Sequence, residues 1–227
     1  MELSPILQAA IDGKIEEVKK ALDNGADLNE VSKSGSTALI YAAQNNNMDI
    51  VKLLVEKGAD VNIKNKMGGT ALNRAAEYGN IEMMRYLLDH GTEIGPLALI
   101  IAAREGQLDA VKLLLVEGAD INAKQNWGHT ALMLASREGH SEMVRYLISH
   151  GASVKNRDKN GENALSMALD NDNTEIAMLL RRAGATERKP KKKTFTYESD
   201  EDEEEEESGE TFEAPDDEDF DEDIDLD

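Results

Sequence analysis

Between positions 37 and 58 the apolar residues fall into two helical periods separated by a polar turn. The run ALIYAAQN follows Thr37, whose side-chain oxygen is suited to accept an orphan backbone N–H at a helix start. NNM then interrupts the pattern, and DIVKLLVEKG resumes it, placing Ile50, Val51, Leu53 and Leu54 on one face at helical spacing. Gly58 is expected to close this second helix in the left-handed conformation that favours glycine. ADVNIKNKMGG then reaches out as a turn before Thr70 restarts the pattern. Each unit therefore reads as helix, short turn, helix and extended finger. The small pair Ala42–Ala43 recurs as Ala75–Ala76 and Ala102–Ala103, which lets the first helix of each unit lie close to its neighbours.

The pattern has a fixed period. The glycines of NGAD, KGAD and DHGT stand at 25, 58 and 91, and those of EGAD, SHGA and RAGA at 118, 151 and 184. Both series advance by 33 residues, and only the step from 91 to 118, which is 27, breaks the interval. The same skip separates Thr37 and Thr70 from Leu97, Thr130 and Asn163. Between Gly91 and Leu97 lie only TEIGP, so the finger before the fourth unit is mostly missing. Gly95-Pro96 makes a tight entry to the next helix, since proline suits a first helical turn, and Leu97 stands where the other units have a capping Thr. The helices on either side are complete, so the stack is expected to continue while one projecting tip disappears. The expected result is a notch flanked by Lys66 and Met67 on one side and by Trp127 on the other.

GSTALIYAAQNNNMDIVKLLVEKGADVN and GHTALMLASREGHSEMVRYLISHGASV resemble ankyrin repeats. The resemblance covers residues 1 to about 187 as six units. It implies an all-α solenoid of stacked helix-turn-helix units with short β-hairpin-like fingers. The family's His after its Thr-Pro-Leu is replaced here by Ile40, Asn73, Met133 and Ser166, which removes one Thr–His hydrogen bond without touching the fold. The sixth unit, GENALSMALDNDNTEIAMLLRRAGA, is more polar and reads as a terminal cap, while the first begins at SPILQAA without a finger. Stacked repeats need capped ends because each buries its apolar face only against its neighbours.

Charge divides the chain unevenly. The 227 residues hold 46 Asp+Glu and 25 Lys+Arg, a formal charge of −21. From Thr194 to Asp227 there are 20 acids and no Lys or Arg, which leaves 26 acids against 25 bases elsewhere. The organisation expected is a repeat domain at 1–187, a basic linker at 188–193 (RKPKKK) and a disordered acidic tail at 194–227, because a run of like charges cannot form a packed core. Such a tail would repel nucleic acid, and its counterpart is expected to be a basic protein. Phe195, Tyr197, Phe212, Phe220, Ile224 and Leu226 punctuate the acids and could add apolar anchors.

Little in the sequence points to chemistry. Without cysteine, disulfides and thiolate metal sites are excluded. His90 and His150 occupy the same position two units apart, and with layers about 8–10 Å apart they would lie roughly 20 Å from each other, too far for one metal. His129 falls in a finger and His140 in an interhelical turn. DNDNTE at 170–175 departs from a calcium loop, since Glu175 and Arg181 stand where that motif needs Gly and Glu. No phosphate loop and no Ser/His/Asp arrangement occurs. No enzyme activity, cofactor or metal is expected. MELSPILQAA has no basic region before an apolar run, and no run approaches the roughly 20 apolar residues of a membrane helix. A monomeric cytoplasmic protein is expected, with KPKKK resembling a nuclear localisation signal if the cell is eukaryotic.

The ankyrin resemblance implies partner binding by finger tips and by the ends of the first helices. The corresponding tip residues are Lys33, Lys66, Met67, Asn126, Trp127, His129 and Lys159; the helix-end residues are Gln44, Tyr78, Arg104, Glu105, Arg137 and Glu138. Trp127, the only tryptophan, is the foremost anchor candidate. It stands either free at its tip or folded onto the neighbouring finger. Met67 and Tyr78 on one side, with Arg104 and Arg137 on the other, predict an apolar anchor beside positive charge. The function expected is a non-catalytic module that grips a partner protein in its groove, with the tail engaging or shielding a basic partner in the manner of an escort. The alternatives are an adaptor whose tail is only a solubiliser, and a regulatory subunit of an enzyme.

Overall fold

The computed structural model describes residues 3–187. The basic linker and acidic tail expected at 188–193 and 194–227 lie outside the described residues. Twelve helices are found among the described residues, two to a unit: α1 (Pro5–Ile11) and α2 (Ile15–Asp23), α3 (Ala38–Gln44) and α4 (Met48–Glu56), α5 (Ala71–Glu77) and α6 (Ile81–Asp89), α7 (Pro96–Arg104) and α8 (Leu108–Val116), α9 (Ala131–Glu138) and α10 (Ser141–Ser149), α11 (Ala164–Asp170) and α12 (Thr174–Arg182). Each first helix packs on the second helix of its own unit and on the first helices of adjacent units. The inner row α1, α3, α5, α7, α9, α11 is therefore the spine of the solenoid. Second helices touch their counterparts more sparsely.

Local chemistry fixes where these helices begin. Thr37, Thr70 and Thr130 accept the N–H of Ile40, Asn73 and Met133, and Asn163 forms a reciprocal capping box with Ser166. The alanine pairs at 42–43, 75–76 and 102–103 are fully buried in the spine, where their small size permits close approach. In α4, Ile50, Val51, Leu54 and Val55 are buried, whereas Leu53 is half-buried at the edge of that face. Val55 thus takes the inward position expected of Leu53. Gly58 follows α4 with φ +91°, the left-handed closure that its sequence context predicts. At the end of the stack α12 turns Ile176, Ala177 and Leu180 inward and leaves Glu175, Arg181 and Arg182 exposed, as a terminal layer must.

Polar side chains also tie adjacent layers together. Asn29, Asn62 and Asn122 stand four residues after a closing glycine and accept the N–H of Asp60, Glu93 and Ser153 in the next unit at 2.8–2.9 Å. At the start of second helices, the His140 ring bonds the Arg104 carbonyl at 2.7 Å, and the Asn173 amide bonds the Ser136 and Arg137 carbonyls at 2.9 Å.

The fourth unit departs from the others in one respect. Its first helix, α7, has nine residues where α3, α5 and α11 have seven. Gly95 is the N-cap and Pro96 the first helical residue, so Leu97 lies inside the helix and does not take over the role of the capping Thr. The reason is local. Pro96 carries no N–H to leave unsatisfied, and its fixed φ is already helical, so the helix starts as soon as the shortened finger allows.

Candidate partner-binding cleft

The fingers project beyond the starts of the inner helices. They contain no strand among the described residues, but each tip is a hairpin-like turn. One is closed by Asn65 N–H to Gly69 O at 2.9 Å and Gly68 N–H to Asn65 O at 2.8 Å; another by Gln125 N–H to His129 O at 3.1 Å and Gly128 N–H to Gln125 O at 2.7 Å. Neighbouring tips are joined by single backbone bonds, Lys66 N–H to Ser34 O at 2.9 Å and Lys159 N–H to Trp127 O at 3.0 Å. The approach is tight: a Cβ on Gly128, whose φ is +86°, would lie 3.0 Å from the Asp158 Cα. No such bond links the tip at 65–69 to the tip at 125–129 among the described residues. The finger that would have stood between them is the one the chain lacks.

A cleft of about 630 Å³ occupies that gap. Residues 64–68 and 124–127 form its walls, 93–97 its floor, and Thr70 and Asn73 also line it. Met67 and Trp127 are 85% and 66% exposed on opposing walls. Trp127 therefore stands free of the neighbouring finger, although its carbonyl is held by Lys159. Leu97 is half-buried in the floor, 3.4 Å from where a Cβ on Gly68 would lie.

Buried polar groups hold the two walls still. The Asn65 side-chain Oδ1 accepts the N–H of Met67 at 3.0 Å and of Gly69 at 2.8 Å. On the other wall, His129 bonds Gln125 at 2.9 Å through one ring nitrogen and lies 3.3 Å from the Asp158 carboxylate through the other. The Asp158 side chain, only 2% exposed, accepts the N–H of Asn160 and Glu162 at 2.8 Å. His129 thus braces a finger and is largely withdrawn from solvent. Asn65, Gln125 and Asp158 are positioning residues that the sequence reading does not single out. For Asn65 and Asp158 the signal is an Asn or Asp three residues before a turn glycine, in NKMGG and DKNGE; Gln125 holds the same place in QNWGH without it.

Of the residues expected to meet a partner, the cleft gathers Lys66, Met67, Asn126 and Trp127. Lys33 and Lys159 are exposed on adjoining fingers, and Gln44 and Tyr78 are exposed at the ends of α3 and α5. Tyr78, Arg104 and Arg137 do not line the cleft, so they do not flank Trp127 within it. The charge expected of the two arginines is also offset. Arg104 pairs with Glu105 at 2.7 Å and Arg137 with Glu138 at 2.8 Å. The cleft's positive charge comes instead from Lys66 together with Lys64 and Lys124, two residues absent from the expected set.

Stacked two-helix layers with a row of projecting turns define a helical repeat solenoid. Residues 6–96 and 99–190 match the family model for ankyrin repeats in three copies, and the chain belongs to the ankyrin-repeat family. Ankyrin repeats are protein-binding modules and are typically non-catalytic. The ankyrin repeat domain of human ASB11 is similar, with a TM-score of 0.71 and 25% identity over 81% of this chain and 85% of that one. A chain in the structure of the predatory endopeptidase Bd0816 from Bdellovibrio bacteriovorus in complex with immunity protein Bd3460 is also similar. It has a TM-score of 0.70 and 29% identity over 80% of this chain and 99% of that one. No curated protein sequence matches. No helix among the described residues is long and apolar enough to cross a membrane.

Proposed function

We propose that the protein is a non-catalytic binding module that holds a partner protein against its finger face, with the cleft between Met67 and Trp127 as the gripping point. The exposure of these two large apolar side chains on opposite, rigidly braced walls carries this reading. Aromatic side chains dominate interface hot spots, and an exposed apolar pair beside a concavity is the arrangement such an anchor requires. The solved complex of Bd0816 with Bd3460 supports protein recognition as the kind of work to expect of this fold. The 20 acids from Thr194 to Asp227 then serve to engage or shield a basic surface of the partner, which makes the protein an escort.

Capture of the partner from native lysate, by the full chain and by a chain ending at Lys193, tests this. Loss of capture on truncation, and comparable loss at high salt, is the result expected of an escort. Capture that survives truncation leaves an adaptor acting through the fingers alone. Capture unaffected by Trp127→Ala removes the finger face from the reading altogether.

A further inference from the structure

We propose that the cleft takes an acidic peptide segment of the partner carrying an aromatic side chain; this rests on the finger face being the binding surface. Three ammonium groups, Lys64, Lys66 and Lys124, line it against a single carboxylate, Glu93. None of the three lysines forms an ion pair among the described residues. Lys124 donates to the Arg157 carbonyl at 3.1 Å, a neutral acceptor.

The contrast with the inner helices is sharp. Arg74, Arg104 and Arg137 are each answered by a glutamate at 2.7–2.8 Å. Asp60 and Asp120, which accept the N–H of Asn62 and Asn122 at 2.8 and 2.9 Å, do not line the cleft. Net positive charge thus collects in the gap left by the missing finger, although the chain outside the acidic segment is close to neutral. The start of α7, which lines the same cleft without a capping side chain, adds its partial positive charge.

The apolar component defines the rest of the occupant. The Met67 thioether and the Trp127 indole, above a floor of Ile94, Pro96 and Leu97, offer surfaces against which an aromatic ring packs well. A basic segment would meet three like charges. An uncharged apolar segment would leave the lysines without counter-ions. Nucleic acid is disfavoured because the lysines crowd one bounded cleft and the chain as a whole carries −21.

Trp127 is the only tryptophan, so its fluorescence in the full chain reports the cleft directly. The probe is a synthetic peptide of about twelve residues, mostly Glu and Asp, with one central Phe. The expected result is a saturable shift of emission to shorter wavelength. Affinity should weaken about tenfold or more when Phe becomes Ala, in a K64Q/K66Q/K124Q variant, or in about 0.5 M salt, where charges separated by more than a few ångströms are screened. The three lysines are exposed and the one Lys124–Arg157 bond lies at the surface, so the variant should melt close to wild type. The absence of a shift, an equal response to a peptide with Lys in place of the acids, or saturation by a single-stranded oligonucleotide would each overturn the proposal. So would short-wavelength emission from the full chain without peptide that moves to longer wavelength in salt, since residues 194–227 would then be the occupant. If partner capture depends on Trp127 while the peptide produces no shift, the finger-face reading stands and the acidic occupant falls.

Discussion

Trp127 owes its availability to its neighbours. Its backbone is tied to Lys159, its finger is braced through His129 and the buried Asp158 carboxylate, and its ring remains 66% exposed. Fold and recognition are therefore separable at this position. Trp127→Ala is expected to weaken partner binding by about 2 kcal/mol or more, the size of a hot spot, while calorimetry shows little change in Tm. A fall in Tm with unchanged affinity would assign the ring to the fold. Asn65 should behave in the opposite way. Asn65→Ala leaves the N–H groups of Met67 and Gly69 without their acceptor, and is expected to cost about 1–3 kcal/mol in chemical denaturation. Affinity should then fall only because the Met67 wall is loosened. An unchanged denaturation midpoint would mean that the turn holds itself.

At the scale of elements, the deleted finger is the feature that separates this chain from a uniform array. Its position was legible in the sequence, because a fixed 33-residue interval makes a 27-residue step conspicuous. So were the two-helix layers, the buried alanine pairs and the walls of the notch, all of which follow from periodicity. The start of α7 was not. Alignment by repeat position places Leu97 on the capping Thr, but Gly95 and Pro96 start the helix two residues earlier. The pairing of Arg104 with Glu105 and of Arg137 with Glu138 was equally hidden, because repeat position tells where a side chain stands and not which rotamer it adopts. Lys64 and Lys124 were missed for a related reason: they lie on the finger arms and become neighbours of the cleft only because the intervening tip is absent. Restoring that tip is a direct test. Six residues inserted between Gly95 and Pro96, copying the finger at 64–69, should leave Tm equal or higher, since surface loops tolerate insertion. The insertion should also abolish partner binding by filling the cleft. A variant that folds and binds as before would show the gap to be a tolerated deletion.

The whole molecule combines a mildly acidic stack, with 26 acids against 20 bases at 1–187, and a strongly acidic segment at 194–227, and the two should respond differently to perturbation. Within the stack each layer is held by its neighbours, so core damage in the middle should affect more than its own unit. Leu87, fully buried on α6, is a suitable probe. Leu87→Ala should cost about 2–5 kcal/mol, the range for emptying a packed aliphatic site. Hydrogen exchange should rise in the units adjoining α6 as well as in α6 itself; exchange confined to α6 would show that the layers are independent. Removing residues 194–227 should leave this pattern alone, because a run of like charges cannot contribute to a packed core. The claim on which the functional account depends is that partners meet the finger face at the gap. Site-specific photocrosslinking in the full chain tests it most directly, with the photoreactive residue placed at Met67 and, as a control, at Val116, which is 82% exposed at the end of α8 and does not line the cleft. The account predicts a covalent partner adduct from position 67 and none from position 116. Adducts from 116 with none from 67 would contradict it.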